Sequence, residues 1–168
     1  MHLRPSILAC LFLISHAYAS DVLELRFSKD ILAALSTAHD AIILPLTESP
    51  PLTKYDKKTG EITAPVIHWL DARIKNGTPL PQADFEDLKA LVLNPANHYT
   101  GLFAVGEPSD TALRFTSEDQ TGYIILHQSL VTIYWKEKCN GALLNDAGTK
   151  ALELWKKQKD SSVVSPES

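Results

Sequence analysis

The sequence predicts a single α+β domain, a mainly antiparallel sheet with about three helices packed on it, and three observations predict it. Leu113 to Trp135 is the densest concentration of β-branched and aromatic residues, and turn residues break it twice. Residues 82–93 place Phe85, Leu88, Leu91 and Val92 on one face at helical spacing. Of the 168 residues, the 168 − 19 = 149 that follow residue 19 are of a size for one domain with one core.

The central stretch reads as three strands. Ala112 to Phe115 opens the first, and Ser117-Glu118-Asp119-Gln120 is a polar turn with Gly122 at its exit. Tyr123 to His127 is the second strand, Gln128-Ser129 a tight connection, and Leu130 to Trp135 the third. Alternation puts Ile124 and Leu126 on one face and Tyr123, Ile125 and His127 on the other. Likewise Leu130, Thr132 and Tyr134 stand opposite Val131, Ile133 and Trp135. Strands apolar on both sides belong to a sheet covered at least partly on each face.

From the N-terminus onward, Val22 to Phe27 alternates as a half-buried strand. Ser28 is an N-cap for a helix from Lys29 to about His39, with Ile31, Leu32, Leu35 and Ala38 as its stripe. Ala41 to Leu46 is an apolar strand ended by Pro45 and Ser49-Pro50-Pro51. A hairpin joins Leu52–Tyr55 to Glu61–Thr63 around a polar turn ending in Gly60. Val66 to Leu70 is expected to be a short strand. The helix from Gln82 to Leu93 has Asp84, Glu86 and Asp87 in its first turns, where the dipole favours negative charge, and Asn94-Pro95 stops it. Gly101 to Val105 leads through Gly106-Glu107-Pro108-Ser109-Asp110, a loop, into the sheet. Cys139-Asn140-Gly141 reads as lying at a turn. A last helix, capped by Asn145 or Asp146, runs to about Gln158, with Ala147, Ala151, Leu154 and Trp155 inward and Lys150, Glu153, Lys156 and Lys157 in water. Residues 160–168 read as a polar tail that is expected to be disordered.

Residues 1–19 read as a signal peptide. His2 and Arg4 make a basic start, Ile7 to Ile14 an apolar run too short to span a bilayer, and Ala17-Tyr18-Ala19 a small-x-small cleavage site. Ile7-Leu8-Ala9-Cys10 roughly fits a lipid-attachment pattern, but most of the apolar run lies behind it. Cleavage between Ala19 and Ser20 leaves a domain over residues 20–159 and a periplasmic or secreted protein. It removes one charge, Arg4, and takes the formal charge from −4 to −5. With no basic stripe, nucleic acid is not an expected partner, and with no second long apolar run no membrane span is expected in the mature chain. Cys139 is the one cysteine after residue 19, so the core, not an internal disulfide, must hold the fold.

No G-x-S-x-G, H-E-x-x-H, C-x-x-C or phosphate-cradling glycine loop is present. Of the histidines after residue 19, His39 ends a helix, where it suits the terminal carbonyls. His68 and Asp71 could act as base and orienter only if helical; as a strand they face opposite sides. His98 reads as a loop residue and His127 as a strand end. A metal triad of His68, His98 and His127 lacks the tight spacing usual for zinc, so no metal or other cofactor is assigned.

The order L-x-x-L-V-L-N-P-A-N-H-Y (Leu88 to Tyr99), A-L-R-F (Ala112 to Phe115), then I-I-L and V-T-I-Y before an amphipathic helix resembles small exported bacterial proteins of unknown function over the C-terminal half. The resemblance implies a bacterial exported α+β protein. Relatives often carry cysteines in the strands that here read Phe103-Ala104-Val105 and Ile125-Leu126-His127, and this sequence has none there.

The expectation is a non-enzymatic protein that binds another macromolecule, such as a protein of the cell envelope, as inhibitors, immunity proteins and assembly accessories do. Its candidate binding residues are Tyr99, Phe103, Glu107 and Asp110, two aromatics and an acidic rim around a loop. The alternatives are a hydrolase-like enzyme using His68 or His98 with a carboxylate, and a metal-binding protein. The export expectation has a direct check: N-terminal mass analysis of the exported protein should show Ser20 first, and an intact Met1 or a lipid on Cys10 would refute it.

Overall fold

A computed structural model describes residues 23–48, 50–51, 54–55, 62–63, 65–99, 108–136 and 138–162. The expected signal segment, the Gly101–Val105 stretch with Phe103, Glu107, and residues 163–168 lie outside these. Around the central stretch the chain forms an antiparallel meander of β5 (Ser109–Ser117), β6 (Gln120–His127), β7 (Leu130–Trp135) and β8 (Lys138–Leu143). With β1 (His39–Pro45) and β4 (Thr78–Pro79) these make a six-stranded sheet of order β4-β1-β5-β6-β7-β8. The predicted small hairpin exists as β2 (Lys54–Tyr55) and β3 (Ile62–Thr63), paired Lys54 to Thr63 and Tyr55 to Ile62. The helices are α1 (Lys29–Thr37), α2 (Pro65–Ile74), α3 (Gln82–Val92) and α4 (Asp146–Ser162), and the architecture is α+β as the sequence predicts.

The alternation read from the sequence holds. Ile124, Leu126, Val131, Ile133 and Trp135 face a large core with Phe27, Ile31 and Leu35, with Phe85, Leu88 and Val92 of α3, and with Leu152 and Trp155 of α4. Tyr123, Ile125, Tyr134 and Ala112 face a smaller core against Val66 and Leu70 of α2. Ser28 caps α1 as expected, its hydroxyl accepting from the Ile31 N–H at 3.4 Å.

Six local expectations are corrected. Residues 23–26 are a helical turn, not a strand, closed by the Phe27 N–H on the Leu23 carbonyl at 2.7 Å. Leu23, Phe27, Ile31 and Leu35 form an i, i+4 series that buries together, whereas Leu25, on which the alternation rested, is 79% exposed. The stretch Val66–Leu70 is part of α2. Val66, Leu70 and Ile74 again recur every fourth residue and are buried, and Pro65 stands at the first helical position, where its missing N–H costs nothing. Residues 139–141 are edge strand, with Tyr134 opposite Cys139 and Thr132 opposite Gly141. Gly122 lies inside β6, and the turn is the two residues Glu118-Asp119. The Phe115 and Trp135 rings, stacked 5.7 Å apart, fill the space a side chain at 122 would need. Along α4 the inward side is Gly148, Leu152 and Trp155, while Leu154 is half exposed and Ala147 exposed. The helix also continues past Asp160 to Ser162, so the expected tail begins later than residue 160.

Leu126 and Ile133 are fully buried at the centre of the larger core. Replacing either with Ala should cost about 2–5 kcal/mol in a denaturant titration. Gly122→Ala should cost about 1–3 kcal/mol by forcing the stacked rings apart. A midpoint shift worth less than about 1 kcal/mol for all three would contradict this packing.

Candidate functional site

The segment that follows α3 is built to present Tyr99. Asn94 caps a 3-10 turn, Pro95–Asn97, by accepting from the Ala96 N–H at 3.0 Å. The Asn97 amide reaches back to the Leu91 carbonyl at 2.9 Å, and His98 Nε2 sits 2.7 Å from the Val92 carbonyl. On its other side the segment is held by β8 and α4. His98 bridges to Leu144, the Tyr99 N–H donates to the Leu143 carbonyl at 3.1 Å, and the Asn145 N–H donates to the Asn97 carbonyl at 2.9 Å.

Asn145 fastens this strap to the start of α4 with both ends of its side chain. Its Oδ1 accepts from the Gly148 N–H at 2.9 Å, the N-cap bond, and its Nδ2 donates to the Ala96 carbonyl at 2.7 Å. Gly148 leaves no room for a Cβ against Asn97, so helix and strap touch through backbone.

Tyr99 is thereby set on the surface, 42% exposed, with its hydroxyl donating to Asp146 Oδ1 at 3.0 Å and its carbonyl accepting from Arg26 Nη2 at 3.3 Å. The hydrogen bond to Asp146, then its charge, holds the phenol proton above its ordinary range. Tyr99, Ser129, Leu143, Asp146, Thr149 and Glu153 line an open cleft of about 390 Å³. Asp146, Thr149, Glu153 and Lys156 follow at intervals of three and four, so one side of α4 carries them in a row. Beyond the cleft, Lys156 grips both oxygens of Asp110 at 2.7 and 2.9 Å and the His127 carbonyl at 3.0 Å. Asp110 also accepts from the Thr111 hydroxyl at 2.8 Å.

Two of the predicted binding residues, Tyr99 and Asp110, therefore stand at successive points along the same side of α4. Phe103 and Glu107 lie outside the described residues. Sequence reading missed Ser129, Asp146 and Thr149. The available signal was the three-four spacing after the Asn145 cap, which it used to assign solvent to Glu153 and Lys156. Glu153 is exposed, but Lys156 is folded back to 16% exposure on Asp110.

The other titratable candidates serve the fold. His39 does not end the helix but opens β1 two residues past Thr37, with Nδ1 3.3 Å from the Thr37 carbonyl and Nε2 3.4 Å from Asp40. His68 and Asp71 do share a helix, but His68 is exposed and Asp71 accepts the Tyr123 hydroxyl. Burial first, then that bond, drives the Tyr123 phenol pKa strongly upward. His98 is a buried residue, not an open loop one, and His127 Nε2 lies 3.2 Å from the Thr132 hydroxyl. Burial pushes the Cys139 thiol above its usual range, and Tyr134 acts in the opposite direction. Among the described residues no group of three or more His, Cys, Asp or Glu is placed to hold a metal ion. No described helix is long and apolar enough to cross a membrane.

Family models, curated proteins and solved structures yield no match to this chain.

Asn145 ties the strap to α4 through two bonds, so Asn145→Ala should lose about 1–2 kcal/mol of stability. It should also loosen Tyr99, read as increased solvent quenching of the ring. A variant as stable as the parent would show that the strap is held elsewhere.

Proposed function

We propose that the protein is an exported, non-enzymatic binding protein whose contact surface runs along α4 from Tyr99 to Asp110. The observation that carries this reading is Tyr99. It is a large aromatic left exposed yet fixed in orientation by Asp146 and Arg26, at the lip of a cleft. An ordered aromatic loses little entropy on contact, which is why such residues anchor interfaces. The rim carries Asp110, Asp146 and Glu153 against Arg26, Lys150 and Lys156, charges of both signs, with Asp110 paired to Lys156. Such a rim suits a partner surface of complementary charges, such as another protein of the cell envelope, and capture should weaken as salt screens those contacts.

The test is a double substitution, Tyr99→Ser with Glu153→Gln, in full-length protein. Both side chains are exposed, so the folding midpoint should move little. A protein enriched from envelope extract by the parent should be lost with the variant, and its capture by the parent should fall between low salt and physiological salt. Undiminished capture by the equally stable variant would place the contact surface elsewhere.

A further inference from the structure

His98 is the one buried side chain among the described residues with a polar atom left without a partner. The ring is 5% exposed and packs edge-on against Phe27, with centroids 6.0 Å apart. Nε2 faces the Val92 carbonyl at 2.7 Å. A carbonyl only accepts, so Nε2 carries the hydrogen and Nδ1 is the bare lone pair. Nothing in the described structure accepts a hydrogen from Nδ1. A proton there would create a buried cation with an unmade hydrogen bond, an arrangement the fold relieves by opening.

We propose that His98 is an acid-operated latch, whose protonation at Nδ1 releases the Asn94–Tyr99 strap from α3, β8 and α4 while the sheet stays folded. The groups around the ring set the sign. The turn at residues 23–27 contributes Arg26, whose charge opposes a second cation, and the apolar Phe27. The end of α3 contributes the Val92 carbonyl, which favours the cation. The end of β8 contributes Leu144, and the Asp146 carboxylate of α4 is engaged by the Tyr99 hydroxyl. Burial is the largest effect and lowers the affinity of the closed state for the proton. In the open strap the ring returns to an ordinary pKa of about 6.5. The open state thus binds more protons than the closed one below that pH, and opening is favoured as pH falls. The bonds that part are those of the Tyr99 and Asn145 amides, so the latch governs the position of Tyr99. This inference goes beyond the binding proposal and stands without it.

The experiment is amide hydrogen exchange of the full chain between pH 8 and pH 5, expressed as protection relative to the unfolded peptide at each pH. Protection of the Tyr99 and Asn145 amides should fall by about tenfold per pH unit below about 6.5, the limit for one linked proton. Amides of β6 should keep theirs. In His98→Gln, whose side-chain amide can still donate to the Val92 carbonyl, strap protection should not change with pH. Strap protection constant to pH 5 would overturn the proposal, as would an equal loss in β6 or an unchanged loss in His98→Gln. Should that variant fail to fold, NMR titration of the parent decides. The His98 ring and the Tyr99 and Asn145 amides must shift together, and a ring that titrates without them overturns the latch.

Discussion

The fold depends on β6 being apolar on both faces. Ile124 and Leu126 on one side, Tyr123 and Ile125 on the other, are all nearly or fully buried. Neither set can be left to water, so the sheet needs a layer on each side. The larger face takes α1, α3 and α4, while on the other face the described cover is α2. That layer is thin, and it is fastened by a polar bond. The Tyr123 hydroxyl, rising from the middle of the sheet, donates to Asp71 on α2. The bond satisfies a hydroxyl that burial would otherwise leave costly, and it fixes α2 over Tyr123 and Ile125.

Where the sequence was legible, one periodicity had no rival. Residues 123–135 alternate over two strands with a two-residue connection, and Gln82–Val92 keeps a helical stripe between a proline and an Asn-Pro stop. In both places the structure follows. The misreadings occur where two periods coincide. Leu23-Leu25-Phe27 fits alternation, but Leu23-Phe27-Ile31-Leu35 fits a helix just as well, and the second pattern aligns with the rest of the core. Val66 to Leu70 is five mixed residues read alone. Extended to Ile74 and started at Pro65, it is a helix with one buried residue per turn. A short window cannot show which period continues, and tertiary packing selects the one that does.

The candidate site was less legible for a different reason. Tyr99 and Asp110 could be singled out as polar or aromatic loop residues, but their surroundings come from far along the chain. Asp146 is 47 residues beyond Tyr99, and Lys156 is 46 beyond Asp110. Such pairings follow from α4 lying against the strap, which depends on Gly148 being small enough to meet Asn97. An acidic rim read from the sequence also overstates its free charge, because Lys156, assigned to solvent by its helical position, is spent on Asp110. Helical phase says which side a side chain leaves from. A lysine stem is long enough to choose its own destination.

With one cysteine after residue 19, the elements are joined by side chains that seek carbonyls and carboxylates of distant elements. Lys89, buried on α3, donates to the Ala38 carbonyl at 2.9 Å, bringing its charge to the negative end of α1. Trp155 of α4 donates to the Asp84 carbonyl at 2.9 Å, and Lys159 reaches the Asp84 carboxylate at 2.5 Å. Each of these donors finds its acceptor on a distant element. His98 joins α3 to β8 in the same manner, but its second ring nitrogen has no partner among the described residues. The joint left with an unmet polar atom is therefore the one beneath Tyr99, where the proposed latch would act.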